Sequence, residues 1–441
     1  MNVPQSGRGD PGDRFGRDEI LGLLDAGLEA VEPGRLVRRA LEGGESELRA
    51  ARGVAVLSIG KAAAAMAEAA AEILGGAVVA GVVVAPAVGP SRRAGFEHYA
   101  GGHPLPDEGS VAAAGAVERL VDGLSNDERV LCLLSGGGSS LVAAPIGDVT
   151  LADLRRAFAL LLESGAAIDE VNVVRRHLTR LSGGRLARRV PGRITTLALS
   201  DVPGDRPETI ASGPTVSDPS TFDDARGVLV RHGLWARVPA AVRRVVEQGT
   251  LGASDETLKP GDPALTGSRF LVVGSGDSFV EAAALRAVQQ GASVVRRAAP
   301  MAGEARFVGA AIGRELCRLT QAATAATVWL AAGETTVTVR GAGSGGRNQE
   351  AALAAALELE GESGAAVAFF ATDGVDGPTD AAGALVDGGT VRRIREAGLD
   401  GHAALAANDS HSALRASGDL LIRGATGTNV ADVVVGFLVP R

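Results

Sequence analysis

One of only two lysines among 44 basic residues closes the run Val54-Ala55-Val56-Leu57-Ser58-Ile59-Gly60-Lys61, just ahead of an alanine-rich stretch that opens at Ala62. Arginine carries the positive charge almost everywhere else, so Lys61 reads as selected for its chemistry. Its ammonium is a compact, rotatable point charge suited to a phosphate or an anionic substrate, where arginine would impose a planar fork. An ordinary helix-start residue is the competing reading, but ligands of α/β sheets gather at strand C-termini. Lys259, in a Pro- and Gly-containing connector, carries no such signal. A second apolar run, Arg129 to Leu134, enters Ser135-Gly136-Gly137-Gly138-Ser139-Ser140. Three glycines let successive backbone N–H groups converge on an anion, and a helix opening at Ser139 or Ser140 would add its positive end. A merely tight turn is the alternative.

Carboxylates and amides cluster at other strand ends. Ser200-Asp201-Val202-Pro203-Gly204-Asp205 sets two acids four residues apart across a Pro-Gly turn. Such pairs hold Mg²⁺ together with substrate phosphates, and Asx-turns compete for each acid singly. In Asp169-Glu170-Val171-Asn172-Val173-Val174-Arg175-Arg176-His177, Asn172, Arg175 and Arg176 fall within one helical turn, and Asn172 interrupts an apolar stripe. Asn172 and Arg175 are candidates to touch substrate, against a solvated helix face. His103 to Ser110 is a proline-framed loop whose acids, Asp107 and Glu108, suit a helix start. Gly341 to Gly346 delivers Arg347 and Asn348 to a helix start, where arginine can grip a carboxylate or phosphate through two bonds. Thr372-Asp373-Gly374-Val375-Asp376 ends a further strand, and Thr426-Gly427 lies in a last glycine- and hydroxyl-rich turn. So many polar loops at strand ends predict one large polar cleft shared by two domains.

Short Val/Leu/Ile runs alternating with Ala/Leu/Arg helical patterns predict βαβ units and a largely parallel sheet. Strands are expected at 54–60, 81–85, 129–135 and 194–200, then at 269–274, 328–332, 367–371 and 420–423. Helices are expected from 18 to 41 with a break near Pro33, and at 62–74, 111–124, 151–164 and 169–181, with Ser110 and Thr150 as N-caps. The division expected is a disordered tail at 1–17, a first domain at 18–250, a connector at 251–267 and a second domain at 268–441. A length of 441 residues agrees with two cores.

Composition narrows the function. A net charge of −8 and 3% aromatics argue against a nucleic-acid partner. Cys132 and Cys317 read as buried small hydrophobes. The polar N-terminus has no signal-peptide core, and the uncharged stretch Ile73–Pro90 is broken by glycine and proline, so a cytoplasmic protein is expected. There is no Walker A loop, since Lys61 is followed by Ala62. The nearest dinucleotide fingerprint, Gly274-Ser275-Gly276-Asp277-Ser278-Phe279, has phenylalanine at the third glycine position.

The segments Ser135–Leu141, Asp201–Asp218, Gly345–Glu350, Thr372–Gly383 and Thr426–Asp432 resemble the glycerate 2-kinase family, whose C-terminal domain is called MOFRL. The resemblance runs over nearly the whole chain after residue 18. It implies a Rossmann-like N-terminal domain, a smaller α/β C-terminal domain and an active site in the cleft between them. It implies ATP- and Mg²⁺-dependent conversion of D-glycerate to 2-phosphoglycerate. Within that reading Lys61 neutralises moving phosphate charge and Ser135 to Ser140 cradle the nucleotide, with Thr426 and Gly427 as further phosphate contacts. Asp201 and Asp205 hold the metal, Asp373 takes the proton of the attacking hydroxyl, and Arg347 anchors the substrate carboxylate beside Asn348. The chain departs from the family where Lys-Gly-Gly is usual, having Ser182-Gly183-Gly184 flanked by Arg180 and Arg185, and has Ala425 where proline is frequent. An NAD(P)-dependent hydroxypyruvate reductase and a non-catalytic sugar-phosphate-binding module are the alternatives, and a homodimer is left open.

Overall fold

Strands Val54–Ile59 (β1) and Arg129–Leu134 (β4) are apolar but for Ser58 and Arg129, because helices cover both faces of their sheet. The computed structural model describes residues 16–44, 46–89 and 95–440. Of the tail expected at 1–17, residues 1–15 lie outside that range, and Arg17 opens the first helix. With Val78–Ala85 (β2), Phe96–Ala100 (β3), Arg193–Leu199 (β5) and Arg269–Gly274 (β6), the two strands form a six-stranded sheet in the order β3-β2-β1-β4-β5-β6. All its pairings are parallel. This is the doubly wound Rossmann order, which reverses direction between β1 and β4.

A second sheet combines Ser293–Arg296 (β7), Thr327–Gly333 (β8), Ala365–Ala371 (β9), Gly383–Asp387 (β10), Leu420–Leu421 (β11) and Asp432–Leu438 (β12), ordered β11-β10-β9-β12-β8-β7. β12 runs antiparallel to both β8 and β9, and only β7 with β8 is a parallel pair. The alanine and glycine content finds its use here. The helix Arg347–Glu358 buries Ala351 to Ala356, and a Cβ at Gly309 of the helix Ala305–Ala322 would lie 2.0 Å from the Ala351 carbonyl oxygen. Backbones so close admit only small residues, and contact is made by main chain as much as by side chain.

The chain packs as two units whose limits differ from the expected division. One comprises Glu32–Ser275 with Gly427–Val430; the other comprises the chain up to Val31, Gly276–Thr426 and Ala431–Arg441. The first helix, Arg17–Ala30, belongs with the later half because Gly27 admits the Phe279 ring: a Cβ there would sit 2.4 Å from it. The expected connector, 251–267, is woven into the first unit. Leu258 is fully buried, its N–H donates to Gly183, and its carbonyl accepts from Asp218. Strand β6 likewise pairs with β5 and completes the first sheet, so the crossing falls at Ser275.

Local expectations shift for identifiable reasons. Ser110 is the third residue of its helix and not the N-cap: Asp107 caps the helix and Ser110 returns its hydroxyl to the Asp107 N–H. Thr150 caps as expected. The helix expected at 169–181 spans Ile168–His177, because the chain beyond it turns to pair with the segment after β4. There the Arg180 N–H donates to Ala144 at 2.8 Å and the Ile146 N–H donates to Leu178 at 3.1 Å. Strands β3, β7, β10 and β12 had no expectation.

The first unit also carries a helical layer with its own core around Phe158 and Phe222. Glu256 fastens it, accepting from His177 Nε2 at 2.9 Å, the Thr257 N–H at 2.8 Å and the Phe222 N–H at 3.1 Å. Burial alone would raise this carboxyl, but those donors outweigh it and hold it at about 2. A carboxyl depressed below its ordinary 4.5 adds stability above that pH, and the contribution is lost as pH falls toward 2. Glu256→Gln should therefore destabilise the protein at pH 7 by about 1–2 kcal/mol, a figure lowered for solvent screening of a group one-third exposed. Urea titrations between pH 7 and pH 3 should show the gap between variant and wild type closing as pH falls.

Candidate functional site

Gly60 leaves β1 with φ 132°, and a Cβ on it would lie 2.1 Å from Ser135 Oγ. Through that gap the ends of β1 and β4 are laced together. The Ser135 N–H donates to Ile59 O at 2.9 Å, the Lys61 N–H donates to Gly136 O at 3.0 Å, and Ser135 Oγ accepts from the Ala62 N–H at 3.0 Å. The two segments singled out in the sequence are thus one structure, located where the strand order reverses. Ligands of open α/β sheets bind outside the carboxyl ends of the strands at such a reversal.

The hydroxyls of the glycine loop are committed. Ser135 binds the β1 turn, Ser139 Oγ lies 2.7 Å from Ser212 Oγ, and Ser140 donates to Gly137 O at 3.2 Å. The backbone is not. Among the described residues, the N–H groups of Gly136, Gly137, Gly138 and Ser139 donate to no protein acceptor. Gly137 sits at φ 86°, and the helix that follows, Gly138–Leu141, is a single turn, so little of the expected helix-end field is present. What remains is a run of N–H donors about a left-handed residue, the concave arrangement that accepts anions.

Asp201 and Asn429 close on the same loop. Asn429 Nδ2 donates to Asp201 Oδ2 at 3.0 Å, and a Cβ on Gly136 would lie 2.1 Å from that oxygen and 2.3 Å from the Asn429 nitrogen. Glycine at 136 is therefore a requirement of close approach. Asp205 follows on the same turn with φ 52°, a conformation aspartate tolerates. The His103 ring stands 3.0 Å from the position of a Gly137 Cβ, so the proline-framed loop borders the site. The His103 loop is thus a rim element, as its proline-framed sequence suggested, while sequence reasoning missed Asn429. Asn429 lay inside the quoted Thr426–Asp432 segment, but no local pattern pointed it at Asp201.

In the other unit the polar residues largely satisfy one another. Arg347 closes its fork on Asp432, with Nε to Oδ2 at 2.5 Å and an Nη to Oδ1 at 3.0 Å, and its other Nη meets Glu334 at 2.6 Å. Burial would lower the Arg347 guanidinium, but Asp432 and Glu334 outweigh it and hold the charge firmly. Asn348 is buried with its amide 3.3 Å from Asp376 Oδ1. Asp376 also accepts from the N–H groups of Asn348 at 3.1 Å and Gln349 at 2.9 Å. The helix start at Arg347 thus holds an anion already, the chain's own carboxylate. Burial pushes Asp376 up to about 6 against the pull of those donors. Asp373 is half-buried at the end of β9, its carboxylate accepting from the Val375 N–H at 3.1 Å and its carbonyl from the Thr426 N–H at 3.3 Å. Thr426 gives its hydroxyl to Thr372 O. Gly427, at φ 82°, has open space where a Cβ would be.

Two expected features take quieter places. Ser182, standing where the resembled family has lysine, accepts from Thr179 at 2.6 Å. Its neighbour Arg180 pairs with Glu118, and Arg185 is buried on the carbonyls of Arg176, Thr179 and Asp255, so both are structural. Neither Cys132 nor Cys317 forms a disulfide. Burial pushes the Cys132 thiol up to about 12, consistent with a core residue, whereas Cys317 is only partly buried and directs its thiol to Glu358 O at 3.5 Å, so the expectation of a buried hydrophobe holds for Cys132 alone. No helix among the described residues is long and apolar enough to cross a membrane.

The chain matches the family described as Domain of unknown function (DUF4147) over residues 19–247 and the MOFRL family over residues 327–432. It is 40% identical to a protein of Thermotoga maritima named D-glycerate 2-kinase, over 95% of this chain and 97% of that one. A protein of Agrobacterium vitis with a provisional hydroxypyruvate reductase name is 42% identical over 86% of this chain and 85% of its own. The crystal structure of a glycerate kinase from Thermotoga maritima superposes with a TM-score of 0.84 at 39% identity, covering 97% of this chain and all of that one. With such likeness in sequence and in structure along nearly its whole length, the chain belongs to the glycerate 2-kinase family.

Proposed function

We propose that this protein transfers the γ-phosphoryl group of ATP to the 2-hydroxyl of D-glycerate, giving 2-phosphoglycerate and ADP in the cytoplasm. The observation that carries the reading is the run of four N–H groups from Gly136 to Ser139, without protein acceptors among the described residues, beside Lys61 at the reversal of the first sheet. A nucleotide polyphosphate is the anion that suits both features, since it takes several N–H bonds and a point charge at once. Lys61 neutralises the charge on the moving phosphoryl group, as the catalytic lysines of phosphoryl transfer do.

Among the described residues no cluster of three acidic, histidine or cysteine side chains could hold a metal by itself. Mg²⁺ does not need one, because it takes one or two carboxylates and completes its shell with water and phosphate. Asp201, already against the loop, and Asp205 fit that requirement, and the ion when bound neutralises phosphate oxygens. Asp373 accepts the proton of the attacking hydroxyl and orients its oxygen. Thr426 and Gly427 are assigned to the phosphates. The carboxylate anchor expected of Arg347 with Asn348 requires Asp432 and Asp376 to release them, so we assign Arg347 to charge balance in place of that role.

The reductase alternative finds no support at the sheet reversal. The fingerprint-like segment 274–279 follows β6, an edge strand, and Phe279 is fully buried against Gly27. A purely binding module would gain nothing from Asp201 pressed against its anion loop, because like charges repel.

An assay with D-glycerate and ATP should yield 2-phosphoglycerate, whereas NAD(P)H oxidation by hydroxypyruvate without ATP turnover would overturn the kinase reading. Lys61→Ala should lower kcat on the order of 10²–10³-fold; a value near that of the wild type would remove its role. Gly136→Ala should weaken ATP about tenfold or more by calorimetry, because the new methyl displaces Asp201 and Asn429. Asp373→Asn should cut kcat roughly 10²-fold with little change in either KM. If Asp201→Asn gave that pattern and Asp373→Asn did not, the two carboxylates would have exchanged roles.

A further inference from the structure

Arg175 is the unusual arginine of the helix Ile168–His177. Its guanidinium carbon lies 5.0 Å from the centre of the Phe158 ring. Its neighbours have acids beside them: Arg176, whose Nε likewise makes no hydrogen bond, lies 3.0 Å from Asp218 and donates through its other nitrogens to Glu208 O and Ser220 Oγ, while Arg180 holds Glu118. The Arg175 side chain makes no hydrogen bond or ion pair among the described residues, and its Nε is buried without an acceptor. Burial pulls its guanidinium below the usual range, with no acid to oppose the effect. A cation largely removed from water and left without an anion costs free energy, and that cost persists in functional sites where a ligand supplies the partner.

One turn earlier stands Asn172, 4% exposed, whose Oδ1 is buried and accepts nothing. Residues three apart on a helix are surface neighbours. A forked donor without an acceptor thus adjoins an acceptor without a donor. Hydroxy acids carry the complement of that pair, a carboxylate that accepts two bonds from a guanidinium and a hydroxyl that donates one.

The helix is tied to the anion loop within the same unit. Arg180 and Leu178, just beyond its end, are bonded to Ala144 and Ile146 in the segment that leaves the Gly136–Ser140 loop. Arg176 grips Glu208 O, ahead of Ser212, whose hydroxyl meets Ser139. A ligand held by Arg175 therefore sits on the same framework as the phosphate cradle.

We propose that Arg175 and Asn172 are the specificity-determining anchor for the acceptor, Arg175 binding the carboxylate and Asn172 a hydroxyl of a small hydroxy acid. The assignment rests on the kinase reading for the identity of the acceptor, and it moves the anchor away from Arg347, whose fork is closed on Asp432.

The test reads binding apart from turnover. Thermal melts of the full chain would be recorded with D-glycerate and with glycerol, which lacks the carboxylate, in the absence of ATP, for wild type, Arg175→Lys, Arg175→Met and Asn172→Ala. D-glycerate should raise the wild-type midpoint and glycerol should not. Arg175→Met and Asn172→Ala should lose the shift while melting near the wild-type midpoint without ligand. Arg175→Lys keeps the charge over Phe158 and should still lose most of the shift with the fork. In steady state, both Arg175 variants should raise KM for D-glycerate at least tenfold, leaving KM for ATP and the extrapolated kcat within about threefold. A glycerate shift undiminished in Arg175→Lys and Asn172→Ala overturns the proposal, even if Arg175→Met fails to fold. A wild-type protein that turns over no ATP with glycerate, yet shows a melt shift that Arg175→Lys abolishes, overturns the kinase reading and leaves the anchor standing.

Discussion

The absence of a side chain at Gly60 is the constraint on which the first unit depends. Only with hydrogen in that place can the Ser135 hydroxyl enter the β1 turn and accept the Ala62 N–H, which brings Lys61 onto Gly136 O. Once β1 and β4 are locked in this way, the glycine loop is left with a run of N–H groups directed to no protein acceptor. Folding normally pairs backbone donors inside the protein, so a run left without protein acceptors at a strand end is the feature on which the proposed phosphate cradle rests. Gly136 repeats the device one residue on, letting Asp201 and Asn429 approach to distances that a methyl group forbids.

The other unit follows the opposite policy. Its charged groups are paired inside the protein: Arg347 with Asp432 and Glu334, Arg306 with Glu350, and Arg393 with Asp387 and Asp419. Breaking one member of such a buried set strands the other, which makes these networks rigid scaffolding and poor first contacts for a small ligand. Asp376 extends the rule to the helix start at Arg347, where the chain fills its own anion site. Single atoms such as Arg306 Nη2 and Ser410 Oγ are left over there, whereas the first unit has an acid-free arginine beside an unfilled amide oxygen and a run of N–H groups, the features on which the proposed ligand contacts rest.

Most of the secondary structure was legible because it depends on near neighbours. Short continuous apolar runs gave β1, β4 and β5 to within a residue, and Thr150 capped where its hydroxyl could. Some of the misses have the same origin. Edge strands such as β3 and β7 are half-exposed and lack an apolar run, and the helix after Ile168 ends early because Thr179 pairs with Pro145, a partner no local pattern reveals. The expected connector failed as one because glycine, proline and polar residues mark irregular backbone, whether it is free or woven into a core.

For the site, the chain by itself determined the parts: a lysine at a strand end, three consecutive glycines, carboxylates after β5 and β9, and an arginine at a helix start. It did not determine which parts meet. Ser135 reaches the β1 turn across 73 residues, Asn429 reaches Asp201 across 228, and Asp432 takes the Arg347 fork across 85. Propensity, capping and turn chemistry act over a few residues and are written locally. The partner across a sheet is chosen by strand order, by register and by which backbones can approach. That choice alone made Gly136 a contact for Asp201, moved the first helix to the later half, and left Arg175 without an anion.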